Sequence, residues 1–121
     1  MRRIIVVDDN EDILEIVKLI LEGYDYEVVT LADGSLLVDN LKEFKPDLIL
    51  LDVMLGNMDG RELCKIIRSN DETKHIPIIM VSASHNLSER LIGMGSNTDF
   101  LAKPFDISEL INKVALSLSA A

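Results

Sequence analysis

Apolar residues in this chain form short dense runs separated by longer stretches of helical spacing, and the alternation occurs five times. The runs Ile4–Val7, Glu27–Leu31, Leu48–Leu51, Ile78–Val81 and Phe100–Ala102 are predicted strands. The first, third and fourth are almost uninterrupted Ile, Leu, Val and Met, as expected of strands buried on both faces. Between them the spacing turns helical. Ile13, Val17 and Ile20 share one face of a first helix, with Leu14 and Leu21 beside it; Leu37 and Leu41 pattern a second. A third starts at about Asp59, read as its N-cap, and turns Leu63, Ile66 and Ile67 inward. A fifth starts at Asp106, with Glu109 three residues on as in a capping box, and carries the stripe Ile107, Leu110, Ile111, Val114 and Leu118. Asn86 and Glu89 suit the start of a fourth, but Gly93 and Gly95 follow. Each interior Gly costs about 1 kcal/mol relative to Ala, so this helix is expected to be short or mobile.

Alternating strands and helices joined by right-handed crossovers give an α/β fold: a doubly wound (βα)5 parallel sheet with helices on both faces. The 121 residues suffice for one domain, 1–121, and not for two. Lys45-Pro46-Asp47 and His75-Ile76-Pro77 mark the loops entering the third and fourth strands, and His75 reads as a solvated loop residue.

Composition narrows the function. A formal net charge of −9 argues against direct nucleic-acid binding, which needs a basic face, and suits a site that attracts a cation. With no Trp and few aromatics, aliphatic packing carries the core. Cys64 is the single cysteine, so it has no internal disulfide partner and reads as a packed thiol. Only four apolar residues separate Arg3 from Asp8, too few for a signal peptide, and no run approaches membrane-spanning length. A cytoplasmic setting without membrane insertion is the expectation.

In open parallel sheets ligands sit beyond the carboxyl ends of the strands. Asp8 and Asp9 follow the first strand, Asp52 the third, Ser82 the fourth and Lys103 the fifth. Three carboxylates at two strand ends make a hard oxygen site of the kind Mg²⁺ takes together with a phosphate. Lys103 can pair with Asp52 at rest and with a phosphoryl oxygen later, and Ser82 can donate to the same oxygen. Carboxylate nucleophile, divalent metal and ammonium are the parts of phosphoryl transfer to Asp. Glu11 and Asp12 are read instead as the start of the first helix, where acids suit the dipole, with Asp12 a candidate N-cap. His85, three residues after Ser82, is read as a loop residue and not as phosphate chemistry.

The stretches VVDDN, LLDVMLGNMDG, MVSAS and DFLAKPF, in this order and spacing, resemble the receiver domain of bacterial two-component response regulators across essentially the whole chain. The resemblance implies a flavodoxin-like sheet with strand order 2-1-3-4-5. It makes Asp52 the phosphoacceptor, Asp9 the direct Mg²⁺ ligand and Asp8 its partner. Met54 takes the position whose backbone carbonyl completes the metal site. Ser82 becomes the switch hydroxyl, Lys103 the lysine that engages the phosphoryl group, and Lys103-Pro104 a cis bond. Phe100 becomes the aromatic that turns inward when the hydroxyl engages.

The chain departs from the family pattern at three places. Gly56 stands where Pro is usual, Met94-Gly95-Ser96 replaces an Ala-Gly-Ala-like stretch, and Ser82 stands where Thr is more usual. The function implied is a signalling module. A sensor histidine kinase or histidine phosphotransfer protein supplies phosphoryl to Asp52, and the fourth helix, fifth strand and fifth helix form a switched face for an output partner. The domain catalyses much of its own phosphorylation and dephosphorylation. The alternative is a degenerate receiver used for phosphorylation-independent docking. A haloacid-dehalogenase-like phosphatase would need a second Asp at Met54, and a flavodoxin-like electron carrier would not place acids where VVDDN has them.

Overall fold

The computed structural model describes residues 1–56, 58–83 and 97–119. Its main sheet contains β1 (Arg3–Val7), β2 (Glu27–Leu31), β3 (Leu48–Asp52), β6 (Ile78–Ser82) and β7 (Thr98–Ala102). All pairings are parallel and the order is β2-β1-β3-β6-β7. Two-residue strands β4 (Met54–Leu55) and β5 (Met58–Asp59) pair antiparallel as a separate hairpin. With that hairpin set aside, the order is the expected 2-1-3-4-5 of the flavodoxin-like class. The helices are α1 (Glu11–Glu22), α2 (Leu37–Phe44), α3 (Gly60–Ser69) and the C-terminal helix (Ile107–Ser119), with a 3₁₀ turn at Gly34–Leu36.

Each central strand shows why its sequence is continuously apolar. Ile5, Val7, Ile49, Leu51, Ile78 and Met80 pack in one core layer with Leu37 and Leu41 of α2 and Leu63 and Ile67 of α3. Their alternates Ile4, Val6, Leu48, Leu50, Ile79 and Val81 pack in the other, with α1 and the C-terminal helix. Successive side chains point to opposite faces, and both faces are covered. Cys64 is fully buried in the first layer, and burial pushes its thiol pKa up, which suits an inert packed role.

Local chemistry sets the helix ends. Asn10 caps α1: its Oδ1 accepts from the N–H groups of Asp12 and Ile13 at 3.0 and 3.3 Å. Asp12 is therefore inside the first turn and is not the cap. Asp59 caps α3 by accepting the Arg61 N–H at 2.9 Å, and Asp106 accepts the Glu109 N–H at 2.7 Å. Lys45 ends α2 in the left-handed region at φ 52°.

Three helix faces differ from the apolar spacing. In α1 the buried set is Leu14, Val17 and Leu21, with Ile13 and Ile20 at the margin. In α3, Leu63, Cys64 and Ile67 face inward while Ile66 is half exposed. In the C-terminal helix Leu110, Val114 and Leu118 are buried and Ile107 is exposed. The first and third differences have one cause. Ile13, Ile16 and Ile20 meet Pro104, Phe105 and Ile107 along an open apolar groove of about 440 Å³, so these side chains line a surface depression. The fourth-helix expectation at Asn86, Glu89, Gly93 and Gly95, and those on His85 and Met94-Gly95-Ser96, lie outside the described residues.

Candidate functional site

The carboxyl ends of β1, β3, β6 and β7 lie side by side because these strands are neighbours. Asp8 extends the β1 ladder, its N–H donating to the Leu31 carbonyl at 3.1 Å. Asp52 is the last residue of β3 and Ser82 the last of β6. Lys103 follows β7, and its N–H donates to the Ser82 carbonyl at 2.8 Å. The Lys103-Pro104 bond is cis, as the resemblance implied. Asp8, Asp52 and Ser82 are all buried, whereas Asp9 is exposed.

The Lys103 ammonium joins the two buried acids. Its Nζ stands 2.8 Å from Asp52 Oδ2 and 3.0 Å from Asp8 Oδ2. The other oxygens are held by backbone: Asp8 Oδ1 accepts the Asn10 N–H at 2.9 Å and Asp52 Oδ1 the Met54 N–H at 3.0 Å. Burial pushes the Asp52 carboxyl up, against the opposing pull of the Lys103 and Met54 hydrogen bonds, and the nearby Asp8 charge adds to the rise. Burial acts to lower the Lys103 pKa, but the bonds to Asp52 and Asp8 together outweigh it and raise it. The ammonium is thus kept charged by two acids, one of which is itself costly to ionise.

Asp8, Asp9 and Asp52 each present an oxygen within 4.8 Å of the others. Three carboxylates against one ammonium leave negative charge that a divalent cation would neutralise. The oxygen-only donor set and the ammonium already drawn to it fit Mg²⁺, with Asp8, Asp9 and Asp52 as the holding residues.

The segment after Asp52 holds three features that sequence reasoning missed. One is the β4–β5 hairpin. Gly56 adopts φ 64°, which proline cannot, so the departure from the family's proline is a different turn. Gly-Asn between two short extended runs was the available signal. Another is Gly60. A Cβ there would come within 2.0 Å of the Asp52 carbonyl oxygen, so α3 starts in direct backbone contact with the end of β3. Met54 lies in β4 with its side chain exposed, and its N–H to Asp52 was also unforeseen.

Phe100 lies on β7, partly buried against the α2–α3 core layer, with Lys113 Nζ 5.5 Å from its ring centroid. His75 is exposed, as expected. Among the described residues no helix is long and apolar enough to cross a membrane.

Comparison with known proteins agrees with this architecture. The response regulator receiver domain family matches residues 4–115. The chain is 33% identical over 118 residues to the DNA-binding response regulator MtrA of Mycolicibacterium smegmatis, covering 97% of this chain and 50% of that protein. It is 40% identical over 118 residues to the nisin biosynthesis regulatory protein NisR of Lactococcus lactis, covering 96% and 50%. The solved structure of the Vibrio cholerae chemotaxis protein CheY4 superposes with a TM-score of 0.89 at 30% identity, covering 98% of this chain and 99% of that one. The chain belongs to the response regulator receiver domain family. It spans about half the length of the curated relatives it matches.

Proposed function

We propose that the domain accepts a phosphoryl group on Asp52 from a phosphohistidine of a partner sensor kinase or phosphotransfer protein, in a Mg²⁺-dependent reaction in the cytoplasm. The observation that carries this reading is the contact of one ammonium, Lys103, with both Asp52 and Asp8 at the shared strand edge. A carboxylate oxygen of Asp52 attacks phosphorus. The N–P bond breaks, its electron pair stays on the imidazole nitrogen, and an acyl phosphate forms. Asp8, Asp9 and Asp52, with the Met54 carbonyl, would hold Mg²⁺, which would supply positive charge to the phosphoryl oxygens. Lys103 pairs with a phosphoryl oxygen as the Asp52 charge is consumed, and Ser82 donates its hydroxyl to another.

The groove lined by Ile13, Ile16, Ile20, Phe105 and Ile107 shares Lys103 with the reaction site. We place the phosphohistidine-bearing protein there, because the groove is apolar, exposed and adjoins the lysine that pairs with Asp52. Engagement of Ser82 then shifts Phe100 and a face formed by β7, the C-terminal helix and the fourth helix expected from the sequence, which an output domain or protein reads.

Incubation with Mg²⁺ and acetyl phosphate, followed by intact mass measurement, tests the reading. One acid-stable, base-labile phosphoryl adduct is expected, lost in Asp52→Asn. An unchanged mass in folded protein that binds Mg²⁺ would replace the reading with phosphorylation-independent docking.

A further inference from the structure

β7 is an edge strand of the main sheet, so among the described residues one side of its backbone has no strand neighbour. At that edge the Phe100 N–H donates to Asp99 Oδ1 at 2.7 Å. The same carboxylate accepts from Lys113 Nζ, at 3.4 Å to Oδ1 and 3.3 Å to Oδ2. That ammonium also lies 5.5 Å from the centroid of the Phe100 ring. One lysine of the C-terminal helix thus touches both the ring and the acid that holds the ring's backbone. We propose that Lys113, aimed by Asp99, is a positioning residue that holds the Phe100 ring in its resting place and sets how readily the ring moves when Asp52 is phosphorylated. The second half of this proposal rests on the phosphoacceptor reading above.

The size of the contact suits a bias and not a lock. The Lys113 and Asp99 side chains are 30% and 47% exposed, so the ion pair alone is weak. A cation over a partly exposed ring changes an equilibrium by about two- to fivefold. A preference of that order delays a ligand-driven shift without preventing it. The molecule also holds a built-in comparison. The Arg3 guanidinium lies 5.3 Å from the Phe44 ring centroid, but Arg3 Nη1 also donates to the Phe44 carbonyl at 2.7 Å. That pair is on β1 and α2, away from β7, and no change is expected there.

The chain has three phenylalanines and no tryptophan, so uniform 4-fluorophenylalanine gives a simple ¹⁹F spectrum, assigned with Phe100→Leu. In unphosphorylated protein, Lys113→Gln is expected to displace the Phe100 resonance and leave that of Phe44 in place, while Lys113→Arg stays near the native spectrum. With Mg²⁺ and beryllium fluoride as the phosphoryl mimic, the midpoint of conversion should fall about two- to fivefold in Lys113→Gln and return toward native in Lys113→Arg. An unmoved Phe100 resonance in Lys113→Gln would overturn the proposal. So would a displaced resonance with an unchanged or raised midpoint. The resting spectrum needs no phosphoryl donor, so failure of the acetyl phosphate reaction remains distinguishable from failure of the Lys113 contact.

Discussion

At the residue scale, Lys103 decides how two buried acids are tolerated. Its side chain is 22% exposed while the Asp8 and Asp52 side chains are nearly enclosed, so removing the ammonium strands two charges that water cannot easily reach. Lys103→Met is expected to destabilise the metal-free domain by about 2 kcal/mol, below the cost for a fully enclosed pair because of that exposure. Urea denaturation measures this, and added Mg²⁺ should recover more stability in the variant than in the native protein. The sign with pH follows from the raised lysine pKa. The stabilisation is complete below the ordinary lysine range and is lost as pH rises through the raised value of the folded state. These residues were legible from sequence because each follows a recognisable strand. Their internal wiring was not. The N–H groups of Met54 and Asn10 that fix Asp52 and Asp8 depend on backbone direction, which residue type alone does not report.

At the scale of elements, the start of α3 is where the site meets the fold. Gly60→Ala would set a methyl group against the Asp52 carbonyl, so β3 and α3 must part. The expected cost is about 1–3 kcal/mol by thermal or urea melting, with slower acetyl phosphate labelling of Asp52 in the fraction that remains folded. One residue earlier, Asp59 caps the helix and pairs with Arg61, which holds its carboxyl below the usual range. A depressed carboxyl pKa contributes stability above the ordinary carboxylate range, and that contribution is lost as pH falls through the depressed value. Asp59→Asn keeps a capping oxygen and loses the pair. It should cost less than about 1 kcal/mol at neutral pH, and the difference from native should vanish well below the carboxylate range. Strand positions were readable because dense apolar runs admit few alternatives. Helix faces were read less well: Ile66 and Ile107 fit a helical stripe by spacing yet are exposed, since spacing does not say which edge of a stripe the sheet covers. The β4–β5 hairpin escaped because two-residue strands carry almost no periodic signal.

At the scale of the whole molecule, the parallel order sends every chemical side chain to one edge and leaves an apolar groove beside it. Ile16 is 58% exposed in that groove, so a charge there should be tolerated by the fold. Ile16→Asp is expected to slow phosphoryl transfer from a protein phosphohistidine donor by about tenfold or more, as when an apolar contact at an interface centre is replaced by an unpaired charge. Labelling by acetyl phosphate, which needs no protein contact, should stay native. Equal slowing with both donors would remove the groove from the transfer step. Fold class was legible because alternating elements leave few topologies, while the strand order was legible only through the family resemblance. The groove was not, because it forms between α1 and the segment after β7, which are remote in sequence.

The bond from Lys103 to Asp8 spans 95 residues. A chain leaving the ribosome therefore carries Asp8, Asp9 and Asp52 well before the ammonium that offsets them. Until β7 docks beside β6 the acids have no lysine to aim at a phosphoryl oxygen, and the partial sheet ends in uncompensated charge. Under the function proposed above, competence to accept phosphoryl arrives only with β7 and Lys103, so a copy truncated before them is expected to be a poor acceptor.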